Sequence, residues 1–153
     1  MTRYFMHGLL GLALLAAAPR AALAGCGDNP GDDAAVAATR ADADQACEDQ
    51  GLGCSSAPNH GQHVQCIAHQ ANAAARTGSL PTYCKGAVTE CAARSTCGKP
   101  GAVTCCISDE CEIANDAAEC AAQGGSVGSA SSCCDACASP SGAFLSGPEP
   151  AVF

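Results

Sequence analysis

The chain has 153 residues, of which 14 are cysteine and only 3% are aromatic, and its formal net charge at pH 7 is −8. All fifteen acidic residues follow residue 24, where five basic residues remain, so this part carries a formal net charge of −10. Such a surface repels phosphate backbones and anionic membranes, and we expect no nucleic-acid partner.

Residues 1–24 have the features of an export signal. Arg3 charges the first residues, an apolar run follows from Gly8 to Ala18, and Ala22-Leu23-Ala24 is a small-x-small cleavage site. The apolar run is shorter than the ~20 residues that cross a bilayer, so we predict no transmembrane segment. The sequence thus predicts a signal peptide over 1–24 and a secreted or periplasmic mature protein.

An alternative reading of the same region makes the protein a lipoprotein. Leu23-Ala24-Gly25-Cys26 resembles a bacterial lipobox, in which Cys26 would be lipidated and would anchor the chain in the cell envelope. Pro19 and Arg20 interrupt the region before the cut, where lipoprotein signals are usually apolar. If Cys26 is not lipidated, an even number of cysteines also remains for pairing. Cleavage after Ala24 is therefore favoured, and lipidation stays open.

Large apolar residues are scarce after the predicted signal. Only fourteen of these 129 residues are Leu, Ile, Val or Phe, too few to offset chain entropy by burial alone. A native disulfide contributes about 2–4 kcal/mol, so several of them can replace the missing core. The disulfide candidates are all fourteen cysteines: Cys26, Cys47, Cys54, Cys66, Cys84, Cys91, Cys97, Cys105, Cys106, Cys111, Cys120, Cys133, Cys134 and Cys137.

Two Ala-rich helices are predicted first. An Asp32 or Asp33 cap begins a helix that runs to about residue 50, and Asn59 caps a second helix through residue 75. Cys66 points away from the apolar face of the second helix, which suggests that a neighbouring segment is pinned across that side. The apolar face itself consists of Val64, Ile67, Ala68, Ala71 and Ala75.

The remaining predicted elements are short. A third helix covers 82–94, and the Gly/Pro cluster at 98–101 breaks the chain. A short extended segment follows at 103–107, a brief helix at 115–122, and a last helical turn carries the cysteines of 133–137. The fold class is a small disulfide-rich, mainly α domain over 25–138, with several short helices stapled by up to seven disulfides, little or no sheet, and a disordered Pro/Gly/Ser-rich tail over 139–153.

One candidate metal site lies on the second helix, where His60, His63, Cys66 and His69 recur every third residue. Neighbours three apart lie side by side on a helix and can share an ion such as zinc. The whole set is too long for one ion, because ~13 Å of helical rise separates its first and last members. The default interpretation is that Cys66 is bridged and that the histidines lie on a solvated face.

A second candidate is the Cys134-Asp135-Ala136-Cys137 motif. A C-x-x-C at a helix start can exchange disulfides through a thiol of lowered pKa. Cys133 competes as a partner, however, and no β-α-β pattern surrounds the motif. Structural bridging is the favoured interpretation.

The cysteine-rich segments bear two resemblances to known proteins. The cysteine count resembles secreted phospholipase A2, whose active helix carries C-C-x-x-H-x-x-C, but here Cys106-Ile107-Ser108-Asp109-Glu110-Cys111 contains no histidine. The segments G-A-V-T-C-C, S-S-C-C-D-A-C and H-V-Q-C-I-A-H together resemble cysteine-rich exported bacterial proteins without an assigned activity. That resemblance covers Cys47 to Cys137 and implies a shared bridge pattern but no function.

The sequence therefore favours a non-catalytic, extracytoplasmic, disulfide-stabilised binding or structural module. Its partner is an unknown protein or small ligand, and we expect no catalytic residues and no cofactor. The alternative is a metal-binding or thiol-redox protein that uses the His60/His63/Cys66/His69 cluster, with zinc, or the Cys134–Cys137 pair.

Overall fold

The structure is a computed structural model that describes residues 25–108 and 110–137. The predicted signal peptide and tail lie outside the described residues. The helices are α1 Asp32–Glu48, α2 His60–Thr77, α3 Lys85–Ala93, α4 Ala117–Ala122 and α5 Cys133–Ala136, with a 3-10 turn at Thr82–Cys84; the strands are β1 Val103–Ile107, β2 Glu110–Ala114 and β3 Ser126–Val127.

The first two helices begin differently. At α2, the Asn59 side chain accepts a hydrogen bond from the Gln62 N–H at 3.0 Å, as predicted, and Gly78 ends the helix in the left-handed region. At α1, the predicted aspartate cap is wrong. Gly31 occupies the cap position with φ 97°, and Asp32 lies inside the first turn, where it accepts hydrogen bonds from the preceding loop.

Helices α1, α2 and α3 pack on one another in the helical half of the molecule (residues 25–97). The buried stripe of α2 is His63, Cys66, Ile67 and Ala71. The prediction that Cys66 pins a neighbouring segment is confirmed, because Cys66 is bonded to Cys47 on α1. The prediction that Cys66 points away from the buried face of α2 is wrong, because Cys66 belongs to the core. The core members are Ala43, Cys47, Cys66, Ile67, Ala71, Leu80, Cys84, Val88 and Ala92.

The C-terminal part, the sheet half (residues 103–137), contains a three-stranded antiparallel sheet in the order β2-β1-β3. The expectation of little or no sheet is therefore corrected. Cys106 faces Cys111 across β1 and β2, and Cys105 faces Val127 across β1 and β3. A second small core of Cys105, Ala114 and Cys120 lies on this sheet, with α4 packed against it.

Every cysteine of the described chain is half of a disulfide, which confirms the prediction of a disulfide scaffold. Three of the seven bridges lie within the helical half and three within the sheet half. Cys91–Cys134 alone joins the two halves. Helix α5 is bonded to α3, to β2 and, just after its end, to β1. The pairs are Cys26–Cys84, Cys47–Cys66, Cys54–Cys97, Cys91–Cys134, Cys105–Cys120, Cys106–Cys137 and Cys111–Cys133.

Candidate functional site

A recess of about 410 Å³ opens where the helical half meets the sheet half. We call it the junction recess. Helix α1 supplies one wall, with Arg40, Asp44 and Glu48 spaced four residues apart so that they share a helix face. The opposite wall comes from residues 130–135. The remaining lining residues are Ala41, Gln45, Cys54, His63, Ile67, Val88, Cys91, Ala92, Ser95 and Cys97.

The base of the junction recess holds a buried histidine. His63 is only 2% exposed, and its Nδ1 lies 3.1 Å from the carbonyl oxygen of Leu52. Because a carbonyl oxygen only accepts, Nδ1 carries a proton in this contact. Within the described part of the chain, Nε2 makes no hydrogen bond. The interpretation that the histidines lie on a solvated face is thus wrong for His63.

An ion pair closes the side of the junction recess where the two halves meet. The Arg40 guanidinium on α1 donates from Nη1 to Oδ1 of Asp135 at 3.2 Å and from Nη2 to Oδ2 of the same carboxylate. The hydrogen bond to Asp135 raises the pKa of Arg40. Such two-point contacts fix direction as well as charge, so Arg40 is held by Asp135 and is not a free cation.

Asp44 lies on the same wall, and its carboxylate accepts no hydrogen bond from the described residues. Partial burial of this carboxyl raises its pKa, and the nearby charges of His63 and Arg40 only partly oppose that effect. The junction recess therefore presents the Asp44 carboxylate, which has no hydrogen-bond donor among the described residues.

The structure does not bring the predicted histidine and cysteine cluster to one point. Cys66 is bonded to Cys47, so its sulfur is not a thiolate. His60 has Nδ1 at 2.9 Å from the Cys97 carbonyl oxygen and Nε2 at 3.1 Å from that of Ala93. His69 is exposed, whereas His63 lines the junction recess.

The structure does not support thiol-redox chemistry at the C-x-x-C motif. Cys134 is bonded to Cys91 and Cys137 to Cys106, so the two cysteines of the motif are not joined to each other. A resting dithiol or an internal redox disulfide is absent from this motif as the structure describes it.

Near the start of the described chain, Asp32 lies within 4.8 Å of the sulfurs of Cys26 and Cys84. Those sulfurs form a disulfide, and the 3% exposed Asp32 side chain accepts hydrogen bonds from Gly27 N–H at 3.1 Å and from the Tyr83 hydroxyl at 3.1 Å. Burial raises the pKa of Asp32, but these bonds and those from Asn29 outweigh it and leave the pKa below its usual value. This cluster is structural: it ties the N-terminal loop to the turn before α3.

Sequence reasoning missed the junction recess, although it singled out His63 for another reason. Arg40 and Asp135 are 95 residues apart, and no local pattern connects them. The one available signal was the i, i+4, i+8 spacing of Arg40, Asp44 and Glu48, which predicts a shared polar face but not what faces it.

Comparison of the chain with protein-family models, with curated proteins and with solved structures gives no match in any of the three. Of the helices in the described residues, none combines the length and the hydropathy that crossing a bilayer requires.

Proposed function

We propose that the protein is a non-catalytic, disulfide-stabilised binding module that functions outside the cytoplasm, with the junction recess as its binding site. The observation that carries this proposal is the pairing of all fourteen cysteines in seven disulfides. Such density is typical of oxidising compartments and of domains that lack a sufficient apolar core.

The N-terminal contacts support export without a lipid anchor. The Cys26 sulfur is used in the bridge to Cys84, and a sulfur in a disulfide cannot also form the thioether of a lipoprotein. Lipidation would leave Cys84 unpaired at 0% exposure. Cleavage after Ala24 would instead free the amino group of Gly25, whose nitrogen lies 2.6 Å from Oδ2 of Asp28.

Two of the three serine hydroxyls that line the junction recess, those of Ser95 and Ser132, are held by backbone carbonyls, which favours binding over nucleophilic catalysis by these two groups. A serine nucleophile needs its proton directed at a base such as His63. Ser95 Oγ donates instead to the Ala92 carbonyl at 2.7 Å, and Ser132 Oγ donates to the Cys91 carbonyl at 2.8 Å. Both hydroxyls serve the backbone at the junction of the two halves.

Intact mass spectrometry of the exported protein tests this proposal. We expect a chain that begins at Gly25, is fourteen hydrogens lighter than its reduced form, and takes up no alkylating reagent before reduction. A diacylglyceryl group on Cys26, or several alkylated cysteines in the native protein, would contradict it. Retention of the chain in the cytoplasm would contradict it equally.

A further inference from the structure

We propose that two of the disulfides, Cys106–Cys137 and Cys111–Cys133, form a redox-sensitive switch that uncouples the sheet from the helical half. We call them the α5–sheet bridges, because they bond α5 and the residue after it to β1 and β2. A dithiol reductant opens these two bridges and leaves the other five intact. The switch is independent of the proposed binding function, because it depends on how the two halves are joined and not on a ligand.

Burial distinguishes the α5–sheet bridges from the other disulfides. A disulfide opens when a thiolate reaches one of its sulfurs, so access decides which bridge reacts. In both α5–sheet bridges, each of the two cysteines is half-buried. Every other bridge contains at least one cysteine that is 8% exposed or less; these buried cysteines are Cys47, Cys66, Cys84, Cys91, Cys97, Cys105 and Cys120.

The leaving group protects the bridges that are only half accessible. Three of them pair a buried cysteine with one that solvent can reach: Cys26–Cys84, Cys54–Cys97 and Cys91–Cys134. Attack at the accessible sulfur expels the buried partner as a thiolate, and a charge without solvent is costly. Attack at the buried sulfur is sterically blocked. At the α5–sheet bridges, by contrast, either sulfur can leave into a partly solvated site.

The α5–sheet bridges also border an open surface. Cys111, Cys133 and Cys137 line a recess of about 590 Å³ beside α5, which is separate from the junction recess. A reductant can therefore approach both bridges from solvent through one opening. Arg94 lines the same recess and offers a positive charge to a thiolate, whereas Glu110 and Glu112 oppose an anionic reductant. A neutral dithiol is therefore the favoured reductant.

The position of these bridges determines what their loss does. Helix α5 is also attached to the helical half, through Cys91–Cys134, through the Arg40–Asp135 ion pair, and through the Cys133 N–H, which donates to the Arg94 carbonyl at 2.9 Å. Opening the α5–sheet bridges therefore leaves α5 on the helical half and removes its covalent bonds to β1 and β2.

Few strong connections then hold the sheet in place. Cys105–Cys120 still joins β1 to α4, within the sheet half. Hydrogen bonds such as that from Arg94 Nη2 to the Cys111 carbonyl, at 3.0 Å, persist, but each contributes less than a bridge. The helical half, by contrast, keeps its three internal disulfides.

The chemistry is a thiol–disulfide exchange. A thiolate of the dithiol attacks one sulfur of a bridge, forms a mixed disulfide and expels the other cysteine as a thiolate, which takes up a proton. The second thiol of the reductant then attacks the mixed disulfide and releases the first cysteine. For each bridge, two electrons and two protons pass to the protein, and the dithiol becomes a cyclic disulfide.

Graded reduction of the oxidised, full-length exported protein tests the order of opening. Dithiothreitol is the reductant, N-ethylmaleimide blocks the thiols that appear, and peptide mass spectrometry locates the labels. We expect a species with four labels, which forms about tenfold or more faster than any label appears elsewhere. The labelled residues should be Cys106, Cys111, Cys133 and Cys137. Hydrogen exchange of this species should show lost protection in β1 and β2 and native protection in α2.

Two variants test the uncoupling without a reductant. One combines Cys106→Ser, Cys111→Ser, Cys133→Ser and Cys137→Ser, and its sheet should lose protection as in the four-label species. The matched control combines Cys54→Ser and Cys97→Ser, which removes a bridge of the helical half, so β1 and β2 should keep their native protection. If the fourfold variant fails to fold, the four-label species still decides.

Three results would overturn the switch. The first is a label on Cys54 or Cys134 that appears before those of the α5–sheet bridges. The second is labelling of all fourteen cysteines together, without a four-label species. The third is native hydrogen exchange of β1 and β2 in the four-label species, because the two bridges would then not couple the sheet to the helical half.

Discussion

At the scale of single residues, two carboxyl groups on α1 have opposite consequences for stability. Asp32 is buried among hydrogen-bond donors that favour its ionised form, so its folded pKa lies below the ordinary value. Asp44 has no such donors, and partial burial raises its pKa. The folded state therefore releases a proton from Asp32 more readily than the unfolded chain does, and from Asp44 less readily.

We predict that Asp32→Asn lowers stability at pH 7 and flattens its acid dependence. With Asp32 present, its stabilising contribution is complete above the unfolded pKa of about 4 and is lost as the pH falls through the lower folded pKa. An asparagine presents an acceptor to fewer of the donors from Gly27, Asn29 and Tyr83. Urea unfolding of the oxidised protein between pH 2 and 7 measures this. The control is Asp33→Asn, since Asp33 is exposed in the same helical turn; an equal effect there would contradict the prediction.

For Asp44→Asn we predict the opposite sign. The variant should be as stable as the natural chain at pH 7 or more stable by less than about 1 kcal/mol, because solvent screens this partly exposed group. The advantage should shrink as the pH falls through the raised folded pKa of Asp44, where the natural carboxyl is protonated. The same unfolding series measures it. Marked destabilisation would show that the Asp44 carboxylate has a structural partner.

Gly98 provides a steric prediction at the same scale. It has φ 67°, and a Cβ there would lie 2.5 Å from the carbonyl carbon of Asn59 and 2.6 Å from the His60 nitrogen. Backbone atoms at a helix start cannot move aside easily, so Gly98→Ala should cost about 3 kcal/mol or more. The control is Gly124→Ala, which has a similar φ of 76° but no atom within 4 Å, and should cost about 1 kcal/mol. Equal midpoints in urea would contradict the prediction.

At the scale of elements, local signals predicted the helices better than the sheet. Asn59 and Gly78 bound α2 because a cap and a left-handed glycine are encoded within a few residues. The β1–β2 hairpin escaped prediction because its turn begins at Ser108, which adopts φ 55° without the Asn-Gly or Asp-Gly signal of such turns. The predicted apolar face of α2 is confirmed at Ile67 and Ala71, but the buried face also includes His63 and Cys66, and Cys66 is bonded to Cys47 on α1.

The sheet half gives a prediction at this scale. Replacing Cys105 and Cys120 together by alanine should destabilise the protein by about 3 kcal/mol through lost loop closure, and further through a cavity. Both cysteines are 0% exposed and form most of that small core. Hydrogen exchange should show β1 and α4 losing protection while α2 retains it.

The comparison variant replaces Cys111 and Cys133, which are more exposed and close a loop of similar length, with a sequence separation of 22 against 15. This variant should lose the stabilisation from loop closure but should leave no cavity in the core. It should therefore be less destabilised than the Cys105/Cys120 variant. The reverse order would show that burial of sulfur contributes little to this core.

At the scale of the whole molecule, two halves with small cores are joined through α5. Cys91–Cys134 and the Arg40–Asp135 ion pair both connect α5 to the helical half, and the junction recess lies beside them. The sequence predicted that disulfides would hold the fold, since their number and the shortage of large apolar residues are matters of composition. It did not predict which cysteines pair, and therefore not the junction recess, because that site exists only once distant segments are bonded.

The central claim is that oxidised sulfur substitutes for an apolar core, and full reduction followed by thiol blocking tests it most directly. Thermal and urea unfolding of the blocked protein, with its amide NMR spectrum, should show no cooperative transition and collapsed dispersion, because each lost bridge removes about 2–4 kcal/mol from a marginal balance. A cooperative transition with native dispersion after all fourteen cysteines are blocked would contradict the claim.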